Sequence, residues 1–221
     1  MTRPLPVEPP PSRFAMPDPA EAEPGGDVIA VGADLEPSTL LAAYRAGMFP
    51  MPLDPRRRRS EIAWFSPDPR GILPLDGMHV SRSLRRSLRR YDVSLSEAFR
   101  EVMIACGTQP RDGQWITTPI VEAYSRLFEL GWAQSIEVLE DDELVGGVYG
   151  VRIGRFFAGE SMFSRRTDAS KVGLVRLVDA LRDDGVELFD VQWRTDHLAT
   201  LGVIEISRRE YLERLERVLS S

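Results

Sequence analysis

Two polar residues that could act together stand on one predicted strand near the end of the chain. Residues Glu187–Trp193 read ELFDVQW, with apolar and polar side chains in alternation. This pattern predicts a β-strand. Because successive side chains of a strand point to opposite faces, Asp190 and Gln192 share one face. A carboxylate and a carboxamide side by side form a defined pair of hydrogen-bonding groups.

A third candidate is Glu160, which lies in LVGGVYGVRIGRFFAGESMFSR (Leu144–Arg165). Two apolar runs, Leu144–Val151 and Arg155–Met162, predict adjacent strands joined by a short turn. The two runs contain four glycines (Gly146, Gly147, Gly150 and Gly159), and glycine in a strand marks a bulge or the close approach of a ligand or another backbone. A charge among apolar neighbours needs a partner. We therefore favour a ligand-facing carboxylate over an edge-strand glutamate that points to water.

Familiar catalytic signatures do not occur. The sequence has no G-x-S-x-G, P-loop, H-E-x-x-H or paired C-x-x-C motif. Its two histidines, His79 and His197, are too few and too far apart to indicate a metal site, although His197 follows Gln192 closely enough to lie near a site. The one cysteine, Cys106, falls on a predicted apolar helix stripe and is interpreted as a packed thiol.

The basic residues are concentrated in two runs. A net charge of -6 argues against a nucleic-acid binder over the whole surface. One run is Arg56–Arg59, and the other lies on a predicted helix over Ser81–Arg90. Leu84 and Leu88 lie four residues apart and would face the core, which leaves the arginines outside. Few acidic residues are near enough to pair with them, so we favour a phosphate-contact surface over a solvated helix face. Its members are Arg82, Arg85, Arg86, Arg89 and Arg90.

Length and composition are those of an ordinary globular protein. The 221 residues, 43% of them hydrophobic and 28% charged, allow one large domain or a medium one with a smaller partner. A single cysteine excludes an internal disulfide framework. No apolar run approaches bilayer length, and prolines and acids occupy the N-terminal residues where a secretory signal would be apolar. We expect a cytoplasmic protein without a membrane segment.

Periodicity predicts the remaining elements. Met1–Pro11 is predicted to be disordered, within an extended lead-in that runs to residue 26. A proline-rich loop that carries Trp64 and Phe65 should end in a domain boundary near Asp68–Gly71. A capping box, Ser94 to Glu97, predicts the start of a helix. Further helices are predicted in residues 37–47, from an N-cap at Thr118 to Gly131, in 170–183 and in 208–219, and a strand in 135–139. The segment 195–202 is interpreted as a loop or short turn.

Eight blocks stand in one order along the chain: VGADLEPSTLLAAYRAGMFP (Val31–Pro50), WFSPDPRG (Trp64–Gly71), HVSRSLRR (His79–Arg86), GQWITTPIVEAY (Gly113–Tyr124), ELVGGVYG (Glu143–Gly150), AGESMFSR (Ala158–Arg165), DASK (Asp168–Lys171) and the block Leu188–Gly202. Together they closely resemble the leucyl/phenylalanyl-tRNA–protein transferase family over Phe14–Leu212. Any one block would be weak, whereas eight in register are specific.

The resemblance implies an α+β fold. After the lead-in (residues 1–26), a small N-terminal domain (27–68) would precede a GNAT-like (N-acetyltransferase-like) domain (69–221) with a mixed sheet flanked by helices. It also implies transfer of leucine or phenylalanine, and possibly methionine, from Leu-tRNA or Phe-tRNA to the α-amine of an acceptor protein that begins with Arg or Lys. The product would be marked for N-degron proteolysis. Because the aminoacyl ester is already activated, no cofactor and no metal is expected, and we expect a monomer.

The resemblance also implies roles for single residues. Asp190 and Gln192 match the family's catalytic pair, in which we expect Asp190 to polarise Gln192 and Gln192 to orient the amine. Glu160 matches a glutamate at the aminoacyl end, and Trp115 an aromatic near the terminal adenosine. The basic cluster Arg82–Arg90 matches a surface for the tRNA acceptor stem. The family's apolar pocket for the transferred side chain corresponds to Val148, Leu174, Leu177, Leu181 and Phe189.

Three departures from the family and two alternative functions stay open. Met51 stands where the family commonly has Trp, the stretch Pro52–Ser60 is arginine-rich, and Thr195 stands where the family often has Asn. An acyl-CoA-dependent N-acetyltransferase would want a glycine-rich turn that cradles pyrophosphate, and RRTDASKVG before the helix at Ser170 lacks one. An RNA-binding adaptor without catalytic activity would leave Glu160, Asp190 and Gln192 unexplained.

Overall fold

A small antiparallel sheet forms the N-terminal part of the protein. The computed structural model describes residues 5–23, 25–57, 60–109 and 115–220. Strands β1 (Val28–Val31), β2 (Phe49–Pro52) and β3 (Ile62–Phe65) pair in the order β1-β3-β2. Helix α1 (Pro37–Arg45) begins at a proline and ends before Gly47, whose φ is +82°, as the sequence predicts. The predicted loop around Trp64 and Phe65 is thus wrong, because both lie in β3 against β2.

A seven-stranded mixed sheet forms the rest of the core, in the order β10-β4-β9-β8-β7-β6-β5. Its strands are β4 (Arg70–Ile72), β5 (Asp92–Leu95), β6 (Ala133–Glu140), β7 (Glu143–Ile153), β8 (Phe156–Ser164), β9 (Leu188–Gln192) and β10 (Ile204–Ile206). The antiparallel hairpin β7–β8 confirms the predicted pair of adjacent strands, and β6, which pairs with β7, contains the strand predicted in 135–139. The turn between β6 and β7 is formed by Asp141 and Asp142, both with positive φ.

Helices cover both faces of this sheet, so the fold is α+β. They are α2 (Arg82–Ser87), α3 (Phe99–Gly107), α4 (Thr118–Glu129), α5 (Ala169–Asp183), α6 (Asp196–Ala199) and α7 (Arg208–Leu219). Helices α3 and α4 share one hydrophobic cluster with α1 and α7, while α2 and α5 belong to a second cluster across the sheet. In the described part of the chain, no helix is both long and apolar enough to cross a bilayer.

Strands β8 and β9 separate partway along their length. They are parallel neighbours joined through α5, and they pair from Phe156 with Leu188 to Ala158 with Asp190. Beyond Ala158, residues Gly159–Ser164 continue along β7 while β9 runs towards β4. Because the two strands diverge, a gap opens between their ends. That gap is where the candidate site lies.

The predicted capping box is wrong. Ser94 lies in β5, where its hydroxyl donates to Glu137 Oε2 at 2.8 Å, and the backbone N–H of Glu97 donates to the same oxygen at 3.2 Å. Helix α3 begins only at Phe99. The buried Glu137 of β6 therefore binds the chain before α3, a contact across 40 residues that local spacing does not reveal.

The N-terminal segment is attached to the body of the protein wherever it is described. Val7 donates its N–H to Leu130 O at 2.9 Å and accepts from Trp132 Nε1 at 2.8 Å. This corrects the predicted disorder for residues 5–11. Residues 1–4, Arg58 and Arg59 of the first arginine run, and Gly113 and Gln114 of one family block lie outside the described residues.

Candidate active site

A cavity of about 620 Å³ lies in the gap between the diverging strands β8 and β9. Glu160 lines it from β8 and Gln192 from β9, and Trp115 closes part of its edge. Apolar side chains make up most of the remaining wall, which suits a ligand with an apolar part and a few polar groups. Those wall residues are Phe49, Met51, Val148, Met162, Phe163, Leu174, Phe189, Val191, Trp193 and Leu198.

Asp190 lies beneath this cavity with its carboxylate fully engaged. It is 0% exposed, and Arg70 binds it through two parallel hydrogen bonds, Nε to Oδ1 at 2.9 Å and Nη2 to Oδ2 at 2.6 Å. Tyr211 donates its hydroxyl to Oδ2 at 3.0 Å. Burial lowers the pKa of Arg70, but the charge and hydrogen bonds of Asp190, together with Tyr211 and Glu160, outweigh burial, and the net pKa is raised. Arg70 therefore keeps its charge, and these donors take up the hydrogen-bonding positions of the Asp190 carboxylate, which leaves it poorly placed to accept a proton from a substrate.

Asp190 controls the backbone of Gln192. Oδ1 of Asp190 accepts from the Gln192 N–H at 2.9 Å, and the Trp193 N–H donates to Val191 O at 2.8 Å. These bonds close a three-residue turn around Gln192, whose φ is +62°. A non-glycine residue in such a turn is strained by about 1–3 kcal/mol, so it needs contacts that hold it. The predicted pairing of Asp190 and Gln192 thus runs through the main chain, not through the carboxamide.

The carboxamide of Gln192 is left for a ligand. Gln192 is 6% exposed, and its Nε2 makes no hydrogen bond to any residue that the structure describes. A buried donor without a partner costs about 1–3 kcal/mol. Since the side chain lines the cavity, a bound carbonyl or amine would satisfy it.

Glu160 shares a hydrogen-bonded cluster with two buried tyrosines. The Tyr44 hydroxyl lies 2.7 Å from Oε1 and the Tyr124 hydroxyl 3.2 Å from Oε2, and the two hydroxyls contact each other. Because each hydroxyl has one proton, the two tyrosines can donate in only two of these three contacts, and the proton of a neutral Glu160 supplies the third. Burial raises the pKa of Glu160 to about 8, and the charge of Asp190 adds to the shift, while the tyrosine hydroxyls and Arg70 oppose it. Burial, with the charge of Glu160, raises the pKa of both tyrosines well above the usual value. Both hydroxyls therefore keep their protons.

Three of the five residues predicted to form the aminoacyl pocket line the cavity, and two do not. Val148, Leu174 and Phe189 line the cavity. Leu177 and Leu181 do not line it: they are 0% and 1% exposed in the core beneath α5. The helical period explains the correction, because residues one and two turns beyond Leu174 lie on the same face of α5 but farther from the cavity.

Most of the strand glycines make room for the protein itself. A Cβ at Gly146 would lie 2.7 Å from Ala169 Cβ, and one at Gly150 would lie 2.1 Å from Ala158 O. Gly147 is similarly close to Ile136 O. Gly159 alone of the four lines the cavity, packed against the ring of Phe189. Most of these glycines therefore allow helix α5 and neighbouring strands to pack closely against the sheet, and only Gly159 faces the cavity.

The arginine cluster forms an exposed surface, although its helix is shorter than predicted. Helix α2 ends at Ser87, so Arg89 and Arg90 lie in the following turn. All five arginines are exposed. Arg90 Nη2 pairs with Glu140 at 2.7 Å. Within the described ranges, no carboxylate forms an ion pair with the other four, which are Arg82, Arg85, Arg86 and Arg89.

Comparison with known proteins decides the family. The leucyl/phenylalanyl-tRNA protein transferase model matches residues 72–216, and the model of that protein's N-terminal domain matches 33–68. A leucyl/phenylalanyl-tRNA–protein transferase of Anaeromyxobacter sp. (strain K) is 52% identical over 220 residues, 97% of this chain and 90% of the relative. That of Shigella dysenteriae serotype 1 is 47% identical over 209 residues, 93% and 86% of the two chains.

The chain belongs to the leucyl/phenylalanyl-tRNA–protein transferase family. It is therefore an aminoacyltransferase, an enzyme of a family whose name gives aminoacyl-tRNA and protein as substrates. Among solved structures, a tandem GNAT protein of clavulanic acid biosynthesis covers 79% of this chain and 57% of its own length, with a TM-score of 0.38 and 14% identity. That likeness is too distant to bear on the fold.

Sequence patterns missed four residues that build this transferase's site. Arg70, Tyr44, Tyr124 and Tyr211 come from four separate elements and meet only in the fold. Each is at most 1% exposed. Arg70 gave a usable signal, because an arginine inside the apolar block WFSPDPRGIL requires a buried anion. At the departure Thr195, the hydroxyl accepts from the Leu198 N–H at 3.2 Å and caps α6, in a segment predicted to be a loop or short turn.

Proposed function

We propose that this enzyme transfers leucine, phenylalanine or methionine from aminoacyl-tRNA to the N-terminal α-amine of a protein that begins with Arg or Lys. The product would carry an N-degron and be passed to proteolysis. The observation that carries the proposal is that one cavity joins three features: the carboxylate of Glu160, the carboxamide of Gln192 and an apolar wall. These match the amine, the reacting ester and the side chain of an aminoacyl group.

The reaction needs positioning more than activation. The acceptor nitrogen attacks the ester carbonyl carbon, a C–N bond forms, and the bond from that carbon to the ribose oxygen breaks. The proton lost by the amine ends on the leaving ribose oxygen. Because the ester is already reactive, holding the amine against the carbonyl supplies much of the rate.

Gln192 is the group that contacts the reacting atoms. Its Oε1 orients the incoming amine, and its unpaired Nε2 is available to the carbonyl oxygen as negative charge develops there. Asp190 acts through Gln192, since it binds the Gln192 N–H and is itself neutralised by Arg70. We therefore assign Asp190 a positioning role rather than that of a base.

Glu160 holds the α-amino group of the transferred residue. With a pKa of about 8 it is mainly neutral in the free enzyme at pH 7, and an arriving ammonium favours its ionised form. Tyr44 and Tyr124 keep its two oxygens in place. The amino acid is thus fixed at its amine while its side chain enters the apolar wall.

Val148, Leu174 and Phe189 receive the transferred side chain. Leucine, phenylalanine and methionine are unbranched at Cβ, whereas valine and isoleucine would place a methyl group against the wall. Such a misfit costs about 1–3 kcal/mol. Leu177 and Leu181 support this wall from below.

The tRNA binds through the arginine cluster and Trp115. Phosphate contacts are sequence-tolerant, so Arg82, Arg85, Arg86 and Arg89 hold the acceptor stem without selecting the amino acid. Stacking of the terminal adenosine on Trp115 would contribute about 1–3 kcal/mol. The reaction takes place in the cytoplasm, where charged tRNA is available, and the enzyme acts as a monomer.

We also propose a GNAT-like architecture for residues 69–221 and a small separate domain for 27–68. The support is the pair of parallel strands β8 and β9, which are joined by α5 and diverge at the site. Such a gap between sheet strands exposes backbone and side chains to a ligand without breaking the core.

One assay separates this function from its rivals. The protein is incubated with labelled Leu-tRNA, labelled acetyl-CoA and a peptide that begins with Arg; an N-acetylated copy of the peptide is the control. Leucine incorporation into the free peptide alone supports the proposal. Acetyl incorporation would support an acetyltransferase, and retention of tRNA without either product would support an RNA-binding adaptor.

A further inference from the structure

Trp193 places an indole on the wall of the cavity, and no role described so far uses it. It follows Gln192 directly and lines the cavity together with Met51. The residue is 37% exposed. Exposure of a single tryptophan would mean little by itself. Its fixed placement beside the reacting groups is what needs a reason.

The indole is held from two sides. Its ring meets Phe49 edge-to-face, with centroids 5.0 Å apart and an interplanar angle of 89°, and Phe65 at 5.9 Å and 68°. The backbone is fixed by the turn around Gln192 and by β4, since a Cβ at Gly71 would lie 2.8 Å from the Trp193 carbonyl carbon. A ring that is oriented in advance loses little entropy when a flat ligand stacks on it.

We propose that Trp193 is a stacking surface for a nucleobase at the 3′ end of the bound aminoacyl-tRNA. The inference rests on the proposed function, because an ester on the terminal ribose brings the nucleotides of the 3′ end to the cavity with the amino acid. Trp115 lies on the Glu160 side, where its ring contacts Tyr124 at 6.4 Å. Trp193 lies on the Gln192 side. The cavity therefore offers an aromatic face near each of its two polar groups.

Local charge favours a base over the cationic side chain of the acceptor. An indole binds cations as well as bases. However, Arg194 follows Trp193, is exposed, and forms no ion pair with any described carboxylate. The charge of Arg194 therefore disfavours another cation at this ring, whereas it favours the phosphate of a stacked nucleotide.

Steady-state kinetics test the proposal with variants W193A and W193F. For W193A, the KM for Leu-tRNA should rise about tenfold to a hundredfold, the effect of one lost base stack. The KM for an Arg-starting peptide and the kcat should change less than threefold. W193F keeps an aromatic face and should regain most of the affinity. V31A, which removes an exposed apolar side chain on β1, is the control and should match wild type.

Fluorescence gives a second readout that does not need transfer activity. In a W115F background, the trinucleotide CCA should quench tryptophan emission saturably, and adding W193F should abolish the quenching. Quenching that persists in the double variant would overturn the proposal. So would a rise in peptide KM with Leu-tRNA KM unchanged, which would assign the indole to the acceptor, or no change in either KM. Wild type that transfers no leucine yet shows Trp193-dependent quenching would refute the proposed function alone.

Discussion

Arg70 and Asp190 form a buried bidentate ion pair at the base of the cavity, with Nη2 2.6 Å from Oδ2 and Nε 2.9 Å from Oδ1. The guanidinium also donates to Gly47 O at 3.1 Å and lies 4.3 Å from the centre of the Tyr211 ring. These contacts tie β4, β9, α7 and the segment that follows α1 together beneath Gln192. The ion pair thus connects these elements, and it also holds Asp190 in the position from which its carboxylate binds the Gln192 N–H.

Removing Arg70 should destabilise the protein strongly. R70M leaves Asp190 buried and unpaired, so the free energy of unfolding in urea should fall by about 3–5 kcal/mol. R70K keeps the charge but not the two parallel bonds, and should fall between R70M and wild type. R13M, which breaks the exposed pair with Asp34, should change stability by less than about 1 kcal/mol. Equal effects of R70M and R13M would contradict the role of the buried pair.

Local patterns predicted the elements that depend on neighbours in sequence. Helix α7 occupies the predicted Arg208–Leu219, and the β7–β8 hairpin follows from alternation and a turn. Patterns failed where a distant residue decides the structure. Ser94 and Glu97 have the spacing of a helix cap, yet both bind Glu137 from another strand. Spacing records which residues could meet locally, but not which distant partner competes for them.

In the candidate site, too, local patterns predicted neighbours in sequence but not distant partners. Strand alternation brought Asp190 and Gln192 together, and both lie at the cavity or directly beneath it. Alternation alone could not show that Gln192 has φ +62° or that the bond from Asp190 goes to its N–H. Arg70 is 120 residues from Asp190 in sequence. Such a pairing depends on the order of strands in the sheet, which a single sequence does not display.

Glu160 should make stability depend on pH. Its pKa is about 8 in the folded protein against a usual 4.5, so between these values the unfolded chain ionises first. Relative to E160Q, wild type should therefore lose roughly 2–4 kcal/mol of unfolding free energy between pH 5 and 8, and the loss should level off between pH 8 and 9 as Glu160 ionises in the folded protein too. Urea unfolding of both proteins at pH 5, 6.5, 8 and 9 measures it. A difference that stays constant across this range would show that Glu160 is ionised throughout.

The arginine cluster should control tRNA affinity without controlling chemistry. Replacing Arg85 and Arg89 by alanine removes two unpaired cations, so the Kd for Leu-tRNA should rise and its salt dependence should weaken by about two in log–log slope. The rate at saturating Leu-tRNA should stay within about threefold of wild type. R90A is the matched comparison: Arg90 already pairs with Glu140 and should affect binding less than R89A. A fall in saturated rate with unchanged Kd would place the cluster in the chemistry instead.

Leu174 and Leu177 should behave differently although they lie one turn apart on α5. L174A shortens a side chain in the cavity wall and so enlarges the cavity. The ratio of phenylalanine to leucine transfer, measured as kcat/KM with Phe-tRNA and Leu-tRNA, should therefore rise several-fold. L177A leaves a void in the core and should lower stability by about 2–5 kcal/mol, with little change in that ratio. If L177A alters selectivity as much as L174A, its side chain reaches the substrate and the cavity is wrongly bounded.

The most direct test of the central claim is a double-mutant cycle of D190A and Q192A. Single-turnover transfer of leucine from Leu-tRNA to an Arg-starting peptide is measured for wild type, both single variants and the double variant, each shown to fold and to bind Leu-tRNA. If Asp190 acts through Gln192, the double variant is no more than about threefold slower than Q192A, because nothing remains for Asp190 to position. If the two losses multiply, Asp190 acts on the reaction independently and the account is wrong.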